Sequence, residues 1–211
     1  ALSVYNGFSD LVSSLFSNFD PELKITPRSG KVFDPKASVF DEVRTMDEIE
    51  CYSEVLQDNA LIVYKGRQVV ATLKGVDTEY EHLASIDSIL IDGAFRLNDE
   101  VANYANMGIG LAYALGINAG FVSPMEIYVP KRDAKVNMSN PVSSFNVDYA
   151  FISSVFRTDQ QAYDETYMIV PLDLARSLFQ YETEVSAIEL KVRDGADVGQ
   201  VKSKLRGLLG D

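Results

Sequence analysis

The apolar positions that open the chain recur with a helical period. Val4, Phe8, Leu11, Val12, Leu15, Phe16 and Phe19 fall at the i, i+4, i+7 and i+8 spacings of one helix face, with Ser9, Asp10, Ser13, Ser14 and Ser17 opposite. This predicts a helix from about Tyr5 to Asn18, stopped by Pro21. The alternation in Leu23-Lys24-Ile25-Thr26 predicts a short half-buried strand before the turn signals at Pro27 and Gly30. A weak helix over Val39 to Met46 comes next. Three β-rich runs follow, Cys51 to Leu56, Ala60 to Tyr64 and Val69 to Leu73, the last two joined as a hairpin through Lys65-Gly66-Arg67-Gln68.

Near Asp77 the texture changes to a polar stretch through Glu79, Tyr80, Glu81 and His82, which predicts a subdomain boundary. Beyond it, Ile89-Leu90-Ile91 is closed by Asp92-Gly93, and Met107 to Leu115 reads as a helix started by glycine. Met125 to Val129 reads as a strand, and Phe145, Val147, Tyr149 and Phe151 as alternate positions of another. Between these two strands, Pro130 to Ser144 is rich in Lys, Arg, Asn and Asp and has no large aliphatic or aromatic run, so a long exposed loop or protruding hairpin is expected there. The last third reads as strand, helix, strand, helix. Tyr167 to Val170 leads into a helix with Pro171 in its first turn and Leu174, Ala175, Leu178 and Phe179 on one face. Ile188, Leu190 and Val192 then alternate with Glu189, Lys191 and Arg193, and a closing helix puts Val198, Val201, Leu205, Leu208 and Leu209 on one face. The pattern is that of an α+β fold.

Composition narrows the function classes. Over 211 residues, 46% are hydrophobic and 24% charged, an ordinary globular mixture that excludes disorder and collagen-like structure. A net charge of −12 repels a phosphate backbone, so nucleic acid is not an expected partner. The longest weakly interrupted apolar stretch, Leu111 to Val122, falls short of the roughly 18 residues that cross a bilayer. The opening at Ala1, with no basic and apolar leader, reads as an excised domain.

Catalytic and cofactor chemistry finds no constellation. A single cysteine, Cys51, and a single histidine, His82, do not make a zinc site with its usual ligand number, and Cys51 reads as a small core residue. Gly108-Ile109-Gly110 begins like a dinucleotide loop, but Tyr113 stands where its third glycine belongs, and close packing of a helix start on a sheet explains the pair. There is no phosphate-binding glycine-lysine loop and no serine elbow. Asp41, Glu42, Asp47, Glu48 and Glu50 lack the spacing of a calcium loop and read as a solvated acidic face. No catalytic residue, metal ligand or cofactor is therefore expected.

A family resemblance runs through most of the chain. Val4-Tyr5-Asn6-Gly7-Phe8 with Leu11, Leu15, Pro21 and Leu23-Lys24-Ile25 resembles the segment after the first membrane helix in lipoprotein-releasing ABC permeases. Leu73-Lys74-Gly75-Val76-Asp77, Gly93-Ala94-Phe95, and Gly108-Ile109-Gly110-Leu111-Ala112 with Leu115-Gly116 and Gly120 are similar to that family's later motifs. Phe151 to Phe156, Tyr163, Tyr167 to Val170 and Leu174 to Leu178 complete the pattern. In order and spacing they resemble the macrolide-exporter-like periplasmic core domain of lipoprotein-releasing and related, cell-division-type ABC permeases.

The resemblance implies an α/β porter-like subdomain from both chain ends, residues 1–77 and 161–211, and an inserted β-rich sabre-like subdomain, residues 78–160, with a protruding loop 130–144. It also implies a non-catalytic domain on the periplasmic side of the bacterial inner membrane that relays ATP-driven motion. The implied partners are a cytoplasmic ATPase subunit, a second permease copy or paralogue, and a periplasmic carrier or lipoprotein. Partner binding would fall on Lys131, Arg132, Lys135, Asn140 and Pro141. The family hook carries an Arg-x-Pro tip followed by basic residues, whereas here Asn140 precedes Pro141 and Val142-Ser143-Ser144 follow it. An exporter or cell-division-type permease, which transmits force to an efflux or hydrolase partner, is one alternative, and a stand-alone enzyme with an unrecognised acidic pocket is the other. The resemblance further implies that both ends of the domain meet the same membrane face and lie together.

Overall fold

In the computed structural model, residues 2–6, 19–120, 122–132 and 141–210 are described. Among these described residues ten strands and six α-helices follow one another as β1 (Leu2–Asn6), β2 (Leu23–Pro27), α1 (Ser38–Arg44), β3 (Ile49–Tyr64), β4 (Arg67–Val76), α2 (Tyr80–Leu83), β5 (Leu90–Gly93), β6 (Tyr104–Gly108), α3 (Ile109–Leu115), β7 (Met125–Pro130), β8 (Phe145–Phe156), α4 (Gln161–Thr166), β9 (Tyr167–Pro171), α5 (Leu172–Phe179), β10 (Ala187–Val192) and α6 (Val198–Leu209). The class is α+β with mixed strand pairing: β6 and β8 run parallel, while β7 and β8 run antiparallel. The chain divides into two compact units, one comprising Ala1–Leu56, Val76–Ile86 and Thr183–Asp211, the other Gln57–Gly75 and Asp87–Glu182.

In the first unit the strands order as β1-β2-β10-β3. The apolar side chains called from the sequence converge here: Leu23 and Ile25 of β2, Ile188, Leu190 and Val192 of β10, and Val201 and Leu205 of α6 form one buried cluster with Phe40 and Val43 of α1. Each large side chain so buried contributes roughly 1.5 to 3 kcal/mol. The side chain of Asp197 caps α6 by accepting the Gln200 N–H at 2.8 Å. α6 lies against β1, so the first and last elements described are neighbours, as expected of the two ends.

Three expectations are corrected in this unit. Tyr5 and Asn6 are not helical: Leu2–Asn6 pairs antiparallel with Leu23–Pro27, because the open hydrogen-bonding edge of β2 draws the segment into a ladder that outweighs its local helical period. The remainder of the expected helix, residues 7–18, lies outside the described residues. The runs Cys51 to Leu56 and Ala60 to Tyr64 are one 16-residue strand. Its first half pairs with β10 and its second with β7, and these ladders carry it through the polar Gln57-Asp58-Asn59, where the chain passes from one unit to the other. Glu189 does not face solvent. It is fully buried opposite Lys24, its partner in register on β2, with Lys24 Nζ at 3.1 Å. β10 is flanked by two strands and has α2 packed against it, so a buried carboxylate is tolerated through its cross-strand cation.

In the second unit β4, β9, β6, β8 and β5 are successive neighbours, and β7 bridges the outer half of β3 to β8. Gly108 ends β6, and a β-carbon there would stand 2.3 Å from the Asp164 carbonyl oxygen, so the glycine lets α4 approach. The expected packing explanation holds, with a helix rather than a sheet as the close neighbour. The helix itself starts at Ile109, two residues later than its sequence pattern suggests. Buried Asn106 is satisfied: its amide donates to the Arg96 carbonyl at 2.8 Å and its oxygen accepts Ser154 Oγ at 2.6 Å.

Candidate partner-docking hairpin

β7 and β8 form an antiparallel pair that runs in register from Met125↔Ala150 to Pro130↔Phe145, so the segment between them is the connection of a hairpin. The strands form because Met125, Ile127 and Val129 alternate toward the core, where α5 packs on both strands. Asn146 fastens that packing by donating its side-chain N–H to the Leu178 carbonyl at 2.8 Å.

Lys131 and Arg132 stand at the base of the hairpin and are used within the chain. The Lys131 N–H donates to the Ser144 carbonyl and its Nζ to the Ser143 carbonyl, both at 2.9 Å, which closes the base from both sides. The Arg132 N–H donates to Gln180 Oε1 and its Nη1 to the Gln180 carbonyl, both at 3.0 Å. The guanidinium also sits 4.3 Å from the centre of the Tyr181 ring. Gln180 ends α5 in the left-handed conformation, φ 59°, and the Tyr181 N–H closes the helix by donating to the Arg176 carbonyl. Arg132 thus places a cation at the negative end of α5 and satisfies its last exposed carbonyl. Pro141 opens a 3₁₀ turn, Pro141–Ser144, that delivers the chain into β8. Lys135 and Asn140 lie outside the described residues.

Gln180 and Tyr181 were missed from the sequence. Their contact with Arg132 joins positions 48 residues apart, and only the fold sets that pairing. A faint signal existed in the end of the Leu174 to Phe179 apolar face, which placed a helix C-terminus beside Gln180.

The first unit holds a polar cleft of about 450 Å³ lined by Arg44, Ile49, Glu50, Cys51, Tyr52, Asp77, Thr78 and Glu79. Its groups are engaged structurally. The Asp77 carboxylate accepts the Ser53 hydroxyl and the Glu54 N–H, both at 2.7 Å, which ties the chain after β4 back to β3. Arg44 pairs with Glu54 at 3.1 Å and stacks over the Tyr52 ring. Burial pushes the Cys51 thiol up to about 11, so it is protonated and a poor nucleophile near neutrality; it donates weakly to the Glu79 carbonyl. His82 is exposed. Among the described residues no three His, Cys, Asp or Glu side chains cluster as metal ligands, and no helix is long and apolar enough to cross a membrane.

Burial is also the main reason that Asp77 holds its proton more tightly than a free aspartate, the two hydrogen bonds opposing it only in part. The folded state then binds this proton more strongly than the unfolded chain, so the contribution of Asp77 to stability falls as pH rises from the ordinary aspartate range through the raised folded value. Asp77→Asn removes that term. Denaturant unfolding from pH 4 to pH 7 is expected to show the stability advantage of the unmodified protein over Asp77→Asn shrinking as pH rises. A difference that stays flat or grows contradicts this.

No protein-family model matches the sequence, and comparison with the curated proteins gives no match. The fold does match solved structures. The extracellular domain of the noncanonic ABC-type transporter YknZ from Gram-positive bacteria superposes with a TM-score of 0.58 at 10% identity, over 98% of this chain and 93% of that one. The periplasmic region of MacB from Actinobacillus actinomycetemcomitans gives a TM-score of 0.61 at 12% identity, over 99% of this chain and 81% of that one. The chain therefore has the mixed α+β fold of these extracytoplasmic domains.

Proposed function

We propose that this chain is the non-catalytic extracytoplasmic domain of an ABC transporter permease, that it relays ATP-driven motion, and that it docks a periplasmic carrier or lipoprotein in lipoprotein release. The observation that carries the reading is the fold likeness over nearly the whole length to the YknZ and MacB domains. The chain motifs that resemble the lipoprotein-releasing permeases point the same way. In this reading the unit that contains both chain ends is the porter, the other is the sabre, and the hairpin between β7 and β8 is the hook. Lys131 and Arg132 brace its base, and together with Lys135, Asn140 and Pro141 they belong to the part that meets the partner.

A brace of this kind suits a docking element. Two hydrogen bonds and a cation–ring contact from Arg132 fix the base on α5, so less ordering entropy is lost when the hairpin is gripped.

The test is replacement of residues 133–140 by a short Gly-Ser turn in the full-length protein. The expected result is an unchanged abundance of protein with lipoproteins retained in the inner membrane. Full release by the shortened protein overturns the docking role. The exporter or cell-division-type reading stands beside this one on a single observation: Asn140-Pro141 followed by Val142-Ser143-Ser144 departs from the Arg-x-Pro and basic tip of the lipoprotein-releasing hook. If lipoprotein release is intact when the whole gene is deleted, that second reading replaces the first.

A further inference from the structure

In the first unit the polar cleft runs along an open length of sheet edge. β4 ends at Val76, and the carboxylate of the next residue, Asp77, accepts the Glu54 N–H at 2.7 Å. Among the described residues no strand lies beside β3 on that side from there back to Ile49. Two bonds fix which way the peptide groups point. The Val55 carbonyl accepts the Ser186 N–H, so Val55 faces β10, and the Glu54 N–H points the other way. Peptide groups alternate along a strand, and the register with β10 is unbroken from Val55 to Cys51, so the N–H and C=O of Tyr52 point out of the edge into the cleft.

This edge has a wall on each face. Ser53 Oγ donates to the Asp77 carboxylate and the Cys51 thiol to the Glu79 carbonyl, so residues 77–79 cover the face that carries Cys51 and Ser53. On the other face the Arg44 guanidinium stacks on the Tyr52 ring, 4.5 Å from its centre. Tyr52 is only 7% exposed, yet among the described residues its hydroxyl has no hydrogen-bond partner. Buried polar groups are as a rule paired, so an orphaned hydroxyl beside an open peptide edge marks a place built to receive a hydrogen-bonding chain.

We infer that this slot binds an extended peptide segment of another protein, which adds to β3 as a strand opposite Tyr52 and carries a lysine or arginine beside the residue paired there. Pairing with the edge supplies affinity through main-chain bonds, and the side chains on the two walls supply the preference. The preference follows from charge. Arg44 is matched by Glu54 and Glu50 by Lys191, which leaves Asp77 and the exposed Glu79 as acids on one wall. In an antiparallel pair the neighbours of the residue opposite Tyr52 project to that same wall, where a cation meets them and a carboxylate is repelled. The net charge of −12 adds to the attraction at longer range. A second copy pairing through the same edge would set Glu50 and Glu79 against their own counterparts, so it is not the occupant. The site uses no residue of the hairpin, and its failure leaves the docking role proposed there intact.

The test compares three short synthetic peptides of alternating threonine and valine: one with a central lysine, one with a glutamate in its place, and the lysine peptide methylated on its backbone amides. In the free protein the Tyr52 amide is expected to exchange its hydrogen rapidly. The lysine peptide should bind saturably and slow that exchange by about tenfold or more, while the glutamate and methylated peptides bind at least tenfold more weakly. Glu79→Lys, at an exposed position, should leave the fold unchanged and reverse the preference between lysine and glutamate. Slow exchange at Tyr52 in the free protein overturns the open edge. No saturable binding of the lysine peptide at millimolar concentration, or protection that appears on another strand and not at Tyr52, overturns the site. Equal binding of the methylated peptide overturns strand addition, and a preference that Glu79→Lys does not move overturns the basic occupant.

Discussion

Gly93→Ala is expected to destabilise the protein by about 3 to 4 kcal/mol and to lower its melting temperature by roughly 10 °C. Gly93 ends β5 at φ +75°, a conformation that costs an L side chain about 1 kcal/mol or more. The larger part is steric. A β-carbon there would stand 2.0 Å from the Ser153 carbonyl oxygen and 2.8 Å from the Ala119 β-carbon. The oxygen belongs to the backbone of β8, held by β5, β6 and β7 and bonded to the Ala94 N–H at 3.2 Å, so it does not swing aside. Gly195→Ala separates the two costs. It has φ +88° with nothing within 4 Å of the added carbon, so it should lose only the conformational part. Calorimetry on the two variants checks the claim, and equal losses would mean the clash is relieved at little cost.

The second large effect is expected from Leu205→Asp, at about 4 to 5 kcal/mol at neutral pH. Leu205 is fully buried in the cluster of Leu23, Ile25, Phe40, Val43, Ile188 and Val201, where a carboxylate loses its hydration. The introduced carboxyl would have a folded pKa above its unfolded value, so part of the loss should be recovered as pH falls and the group is protonated. Leu208, on the same helix, is 39% exposed, and Leu208→Asp should cost less than about 1 kcal/mol. Denaturant unfolding of both variants at pH 7 and pH 4.5 tests the ranking and the sign. A Leu205→Asp protein as stable as Leu208→Asp would refute the placement of α6 in the core.

Leu205 and Leu208 also mark how far a periodic pattern reaches. The spacing placed both on one face of the closing helix, but a cylinder against a sheet covers only the centre of its stripe, and Leu208 lies toward the uncovered edge. The same limit acts on β8. The alternation of Phe145, Val147, Tyr149 and Phe151 identified a strand correctly, yet the buried side of that strand includes Ala150, Ile152 and Ser154. Apolar alternation shows that a strand has two unlike faces and does not say which one the core takes.

What the sequence by itself determined is local and repetitive: the strands at Leu23, Met125, Tyr167 and Ile188, the helices after Pro171 and Asp194-Gly195, the hairpin turn at Lys65-Gly66, and the polar connection from Pro130 to Ser144. These follow from side-chain period, proline and glycine stereochemistry and polarity, all of which act within a few residues. The tertiary structure decided what depends on partners far along the chain. It recruited Leu2–Asn6 into a ladder, carried β3 unbroken past Gln57-Asp58-Asn59, and buried Glu189 against Lys24. It also set Arg132, a candidate partner-binding residue, against Gln180 and Tyr181 at the base of the hairpin. In each case a backbone edge or a charge must find its complement, and only the folded chain sets which complement comes within reach of it.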